Sequence, residues 1–89
     1  MTERDIFITA INTYGDTAQE QIAVEECSEL IQAICHKHRG RQHNIPEEIA
    51  DVEIMLEQLK IINDCGGEVE KIRKRKVERL YNRVFDMCL

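Results

Sequence analysis

Two helical runs carry acidic residues within their apolar faces, and this combination constrains the fold more than any other feature of the sequence. In the run AVEECSELIQAI, Glu26 and Glu29 lie three residues apart, and in PEEIADVEIML, Glu48 and Asp51 have the same spacing. Residues at this spacing project about 60° apart around a helix, so each helix directs two carboxylates to one side. Because an isolated buried charge costs several kcal/mol, such carboxylates must be neutralised, paired or bound to a cation.

The positions of the acids around each helix indicate that they point inwards. On the first helix, Glu26 falls at the shoulder of the apolar stripe, between Ile22 and Ala33. On the second, Glu48 falls inside the stripe and Asp51 at its edge. The stripes themselves are Ala23, Cys27, Leu30, Ile31 and Ile34 on the first helix and Val52, Met55, Leu56, Leu59 and Ile62 on the second. If the two stripes face each other, four carboxylates form a cage of hard oxygen ligands, which suits Mg²⁺ or Mn²⁺.

A simpler interpretation is that these acids lie on solvated helix faces. The chain has 17 Asp and Glu residues, so acid pairs at this spacing also arise without a function. Exposed helical acids usually form weak ion pairs with nearby Lys or Arg. We expect Glu20, Glu53 and Glu57 to be of this solvated kind.

The same acids carry a resemblance to a known family. Glu25, Glu26 and Glu29 form the pattern EExxE, and after 18 intervening residues Glu48 and Asp51 form ExxD. These two motifs, in this order and each within a helical run, resemble the signature of the MazG-like all-α nucleoside triphosphate pyrophosphohydrolases. The resemblance covers residues 14–62 and extends more weakly to residue 79.

This resemblance implies a fold, an activity and a metal site. The implied fold is an all-α, four-helix bundle-like, MazG-type domain that forms a homo-oligomer of dimer units, either a dimer or a tetramer. The implied activity is Mg²⁺-dependent hydrolysis, with Mn²⁺ as an alternative ion, of a (d)NTP between the α and β phosphorus atoms to give NMP and pyrophosphate. Glu26, Glu29, Glu48 and Asp51 match the metal-binding acids. Glu25 matches the leading Glu, which is expected to support a metal ligand or to orient water.

Basic residues are candidates for contacts with the substrate. The resemblance places the family's later Lys and Arg positions, which meet the triphosphate, at Lys76 and Arg79. In the segment HKHRGRQHN, His36 stands where family members often carry a larger aromatic residue, and Lys37 lies two turns beyond Glu29. Phosphate or base contact is one interpretation of His36 and Lys37. A solvated helix end is the other, because cations near a helix C-terminus interact favourably with its dipole.

Length and composition predict one small domain over residues 1–89. A chain of this size buries only about 60–65% of its unfolded surface. Apolar residues make up 43% of the sequence, but only four residues are aromatic and none is Trp. The core must therefore consist mainly of aliphatic residues, and we expect a second copy of the chain to complete it.

The formal charge of −5 argues against nucleic acid as the main partner. The charge is uneven: residues 1–70 contain 15 acidic and five basic residues, whereas residues 71–83 contain seven basic residues and one acid. Cys27, Cys35, Cys65 and Cys88 form no CxxC motif and are expected to be reduced thiols. No signal peptide and no apolar run of 18 residues is evident, so we expect a cytoplasmic protein without a membrane partner.

The helical pattern predicts four helices, at residues 2–14, 17–38, 45–63 and 67–87, and no sheet. Thr2 is the expected first N-cap, and Gly15 the expected end of the first helix. Asn44 followed by Pro46 predicts the start of the third helix, with the Asn44 side chain as its cap.

Two alternatives to the proposed chemistry stay open. The chain could be a non-catalytic helical assembly module whose basic fourth helix binds nucleic acid or a protein partner. It could also carry out the same hydrolysis on a phosphoribosyl-nucleotide or a modified dNTP. A specific response of stability to Mg²⁺ separates the first alternative from an enzyme, and a substrate screen addresses the second.

Overall fold

The computed structural model describes residues 1–86, and within them all of the regular secondary structure is helical. The four helices are α1 (Glu3–Tyr14), α2 (Asp16–His38), α3 (Ile45–Ile62) and α4 (Gly66–Phe85). The predicted all-α class and helix count are confirmed for this part of the chain. The predicted end of the fourth helix at residue 87 and the thiol of Cys88 lie outside the described residues.

The first two helix boundaries follow directly from local sequence. The Thr2 hydroxyl accepts a hydrogen bond from the Asp5 N–H at 3.1 Å, and the Asp5 carboxylate accepts one from the Thr2 N–H at 3.0 Å. This capping box confirms Thr2 as the N-cap. Gly15 both ends α1 and precedes α2, with φ +93° and ψ 155°. Only glycine adopts this backbone conformation readily, so Gly15 allows α2 to begin immediately after α1.

The start of α3 differs in detail from the prediction. Pro46 lies in the first turn as expected, and the Asn44 carbonyl accepts from the Glu48 N–H at 3.1 Å. The Asn44 side chain, however, makes no capping hydrogen bond, so this prediction was wrong. Its amide donates instead to the carboxylate of Glu47, an acid in the first turn of the same helix.

The α2–α3 pair is the centre of the fold. These helices form the largest contact in the molecule, α1 packs against both, and within residues 1–86 α4 contacts α3 alone. Buried apolar residues are few in residues 1–86, namely Ile11, Ala23, Ala33 and Met55. One chain therefore forms a compact unit of three helices around a small core.

The fourth helix extends away from this three-helix unit. The radius of gyration is 16.5 Å, whereas a compact domain of this length has about 12 Å. No residue of α4 is buried, and its apolar side chains include Leu80 at 52% and Phe85 at 66% exposure. The four predicted helices are present, but α4 shares no common core with the other three in a single chain.

The backbone at Gly15 gives a test of the α1–α2 junction. Gly15→Ala forces a Cβ into a region that only glycine favours, so we expect the free energy of unfolding to fall by about 1–3 kcal/mol. Gly67→Ala is the matched control, because Gly67 is helical and an added Cβ there meets no atom within 4 Å. Urea denaturation of both variants measures the difference, and an equal effect at the two positions would contradict this account of the junction.

Candidate metal centre

The acidic residues meet because α2 and α3 run antiparallel in one register. The Gln19 amide donates to Gln58 Oε1 at 2.6 Å across the two helices. Seven residues further along α2 and seven residues back along α3, Glu26 lies beside Asp51. One more turn brings Glu29 beside Glu48. Residues that are far apart in sequence thus form a continuous polar seam along the helix interface.

Three carboxylates approach closely enough to share a metal ion. Glu26, Glu29 and Glu48 each offer an oxygen, and these three atoms lie within 4.8 Å of one another. Opposite ligands of an octahedral Mg²⁺ are about 4.2 Å apart, given a metal–oxygen distance of roughly 2.1 Å. Small side-chain adjustments are therefore sufficient for one ion. The fourth predicted ligand, Asp51, stands next to Glu26 at the edge of this acidic cluster.

The acidic cluster contains buried oxygens without partners. Glu26 and Glu48 are half-buried, and each has an Oε2 atom that is shielded from solvent and makes no hydrogen bond within the described structure. Glu29 is exposed, which leaves one side of the cluster open to solvent. Unpartnered, buried carboxylate oxygens fit a hard divalent cation, since such a cation supplies the compensation that a buried charge requires.

Within residues 1–86 no basic side chain forms an ion pair with the acidic cluster. Among residues 1–86 the only ion pair joins Lys60 to Glu57 at 3.2 Å, on the exposed part of α3. This pair is of the solvated kind expected for Glu57, and Glu20 and Glu53 are likewise exposed. The solvated ion-pair interpretation thus does not describe the acidic cluster in a single chain.

Two carboxylates of the acidic cluster, Glu26 and Glu48, have raised pKa values. Burial raises the pKa of Glu26, and the charges of Glu29, Asp51 and Glu48 and a hydrogen bond shared with Asp51 raise it further. Burial also raises the pKa of Glu48, with contributions from Glu29, Asp51 and Glu47 and a hydrogen bond with Glu29. Burial is therefore the main cause of both raised pKa values, and like charges at close range add to it.

A polar cavity of about 420 Å³ adjoins the acidic cluster. Such a volume falls within the roughly 300–1,000 Å³ typical of small-molecule sites. Glu29 and Glu48 form one side of it, and the other lining residues are Gln32, Ala33, His36, Gln42, His43 and Asn44. The cavity exists because the short loop after α2 folds back to start α3 beside the end of α2.

The predicted substrate-binding residues occupy different places relative to this cavity. His36 is half-buried and lines it, whereas Lys37 is exposed and does not. Lys76 and Arg79 lie on α4, which contributes no residue to the cavity lining. Glu25 is exposed and lies outside the group of carboxylates that approach one another.

The buried face of each helix is rotated from the predicted stripe towards the acids. Ile31 and Ile34, expected in the stripe of α2, are 62% and 42% exposed, and Leu56 of α3 is exposed as well. Of the predicted stripe of α2 only Ala23 is buried. The other buried residues of this helix are Gln19 and Ala33, and Glu26 is central on the face that the three form. Small side chains on this face allow the two helices to approach closely and bring the carboxylates together.

Sequence analysis missed two groups of residues. Gln19 and Gln58 are each only 4% exposed and lie one heptad from Glu26 and Asp51, a spacing that marks them as members of the same face. Gln42, His43 and Asn44 line the cavity, but nothing in the local sequence of the loop shows which helix it lies against.

Comparison with family models, with curated proteins and with solved structures finds no match for this chain. In addition, none of the helices in residues 1–86 has the length and apolar character that a bilayer span requires.

The raised pKa values predict an unusual dependence of stability on pH. In EDTA, the folded protein holds protons on Glu26 and Glu48 that the unfolded chain releases near the ordinary Glu pKa of about 4.3. The free energy of unfolding should therefore fall as pH rises from that value through the raised pKa values. We expect Glu26→Gln/Glu48→Gln to reduce this slope, as measured by urea denaturation at a series of pH values.

Asp5 does not interfere with this measurement. Hydrogen bonds from the backbone and side chain of Thr2 lower the pKa of Asp5, so its contribution to stability is lost only at lower pH. Equal slopes for the wild type and the double variant above pH 4.5 would contradict the clustering of the acids.

Proposed function

We propose that this protein is a Mg²⁺-dependent nucleoside triphosphate pyrophosphohydrolase of the MazG-like type. The observation that carries the proposal is the convergence of Glu26, Glu29 and Glu48 within 4.8 Å, with buried orphan oxygens and without a basic partner in the described chain. The adjoining cavity and the EExxE and ExxD spacing support it.

The proposed reaction adds water across the bond between the α phosphorus and the oxygen that bridges to the β phosphorus. NMP and pyrophosphate are the products. Glu26, Glu29, Glu48 and Asp51 would hold Mg²⁺ or Mn²⁺, which supplies neutralisation of the phosphate oxygens and activation of water. The chain needs no Ser or Cys nucleophile for this reaction.

The cavity residues would hold the nucleotide next to these acids. The side-chain amides of Gln32, Gln42 and Asn44 can donate and accept hydrogen bonds, as base and sugar recognition requires. His36 and His43 offer flat rings and ring N–H groups to the base or the phosphates. Binding in this position brings the triphosphate to the side where Glu29 is open to solvent.

We also propose that the protein acts as a homo-oligomer of dimer units. The support is α4, which in the described part of the chain contacts only α3 and exposes Leu80 and Phe85. An apolar helix face of this extent is typical of a protein interface. A second copy would also place the basic segment of residues 71–83, with Lys76 and Arg79, against an acidic body.

A non-catalytic module is the second candidate, favoured by the basic segment of α4. Its residues make no ion pair within residues 1–86, which leaves them available to an anionic partner such as nucleic acid. The response to metal separates the two candidates. Only the enzyme should gain thermal stability specifically from millimolar Mg²⁺ or Mn²⁺.

The metal site predicts an unusual effect of removing one acid. Glu48→Gln should abolish the gain in stability with Mg²⁺. It should also lower pyrophosphate release by roughly a hundredfold or more, because loss of a residue that only supports a metal ligand already costs up to about a hundredfold. In EDTA its melting temperature should equal or exceed that of wild type, because one of several repelling charges is removed. Glu53→Gln, on the exposed face of α3, is the control and should leave activity and metal response unchanged. A large loss of stability for Glu48→Gln in EDTA would contradict the metal site.

The substrate class is tested by a screen for pyrophosphate release. Canonical and modified nucleoside triphosphates and phosphoribosyl-nucleotides are incubated with Mg²⁺, and the products are separated. We expect NMP and pyrophosphate from at least one nucleotide. Release of orthophosphate and NDP would contradict cleavage at the α phosphorus.

The oligomeric state is tested by sedimentation at micromolar concentration. We expect a dimer or a tetramer, and we expect Leu80→Glu to shift the protein towards the monomer because it places a charge on the exposed apolar face of α4. Glu68→Lys, a charge reversal at an exposed position of the same helix outside the basic segment, is the control. A wild-type monomer would rule out the proposed assembly.

A further inference from the structure

The Gln19–Gln58 pair is the most deeply buried polar feature of the described structure. Each side chain is 4% exposed, and the two amides share one short hydrogen bond of 2.6 Å. Their remaining hydrogen-bonding capacity is poorly used. Gln19 Oε1 has no partner, and Gln58 Nε2 reaches only the sulfur of Met55 at 3.7 Å.

Incomplete pairing of this kind is a poor source of stability. A buried amide oxygen without a hydrogen bond is destabilising, and two apolar side chains of similar size would fill the same space without that penalty. Buried polar groups can instead select one arrangement of helices over its alternatives, as a buried Asn does in coiled coils.

At the α2–α3 interface, such a buried polar pair would select one register of the two helices over others. The observed register brings Glu26 beside Asp51 and Glu29 beside Glu48. Repulsion between these like charges opposes this register. A slip of about one turn would separate the acids, and the small Ala23 and Ala33 on the interface offer little steric resistance.

The same slip would separate the two glutamines. If α3 moved by about one turn, Gln58 would face Ala23 and Gln19 would face Ile62, so two buried amides would lose their only strong hydrogen bond. The amide pair thus opposes the displacement that the acids favour.

We infer that the Gln19–Gln58 pair fixes the register of α2 against α3 and so positions the carboxylates of the metal site two turns away. Both glutamines are positioning residues and touch neither metal nor substrate. The expected effect on metal affinity rests on the proposed function. The register of the two helices can be measured without metal.

The test compares Gln58→Leu with Gln19→Leu/Gln58→Leu. The single variant leaves the Gln19 amide buried and unpaired, so its melting temperature should fall. The double variant removes both amides, and we expect a melting temperature equal to or above that of wild type. Its dissociation constant for Mn²⁺, measured by electron paramagnetic resonance, should nevertheless rise about tenfold, which corresponds to about 1.4 kcal/mol. Gln21→Leu, at an exposed position of α2, is the matched control and should bind Mn²⁺ as wild type does.

A second readout follows the register without metal. Met55 is buried beside Gln58, and its ¹³C-methyl signal can be assigned with Met55→Leu. Wild type should give one Met55 signal in EDTA, and the double variant should give additional or exchange-broadened signals. One sharp signal together with wild-type Mn²⁺ affinity would overturn the inference. If the affinity for Mn²⁺ falls only in proportion to the stability of each variant, the glutamine pair contributes to stability alone. That result would also overturn the inference.

The two readouts distinguish this inference from the proposed function. If wild type binds no Mn²⁺, the metal site is wrong, and the Met55 signals alone decide whether the glutamine pair fixes the register. If wild type binds Mn²⁺ and the double variant keeps both the affinity and one signal, the metal site stands and the positioning role is wrong.

Discussion

Repulsion between carboxylates at the α2–α3 interface is the constraint on which the rest of the structure depends. Burial and like charges together raise the pKa values of Glu26 and Glu48, and no basic side chain within the described chain offsets them. A fold that keeps such a cluster must hold it in place by other contacts. The antiparallel packing of α2 on α3, supported by α1, supplies most of them.

These contacts come from a small core. Among residues 1–86 only four apolar residues are buried, and two of them are alanines, so the helices approach closely but gain little apolar burial at the centre of the interface. The polar seam passes through this centre. Close approach therefore brings the acids together, while stability depends on contacts away from the seam, such as those with α1.

The site combines rigid and adaptable parts. Helices carry the acids, and a helix holds a side chain more precisely than a loop does, as a metal ligand requires. The other side of the cavity comes from the short loop before α3, which contributes Gln42, His43 and Asn44. A fixed acidic cluster facing a polar loop would suit the proposed metal site and a nucleotide recognised by hydrogen bonds.

The sequence alone determined the helices and the direction of the acids. Thr2, Gly15 and Pro46 act through local hydrogen bonds and backbone preferences, so they revealed helix boundaries before any packing was known. The three-residue spacing of Glu26 and Glu29 likewise fixed their common side, because helix geometry is the same in every context.

Tertiary structure alone decided which faces are buried and what surrounds the acids. Hydrophobicity favoured Ile31 and Ile34 for the core, but close packing of small residues turned the interface towards Gln19, Ala33 and Glu26. The position of α4, which packs on α3 alone within residues 1–86, also depends on tertiary contacts. The amphipathic pattern of α4 specifies an apolar face but does not specify what that face packs against. Local rules act over a few residues, whereas the register of two helices is set by contacts between residues far apart in sequence.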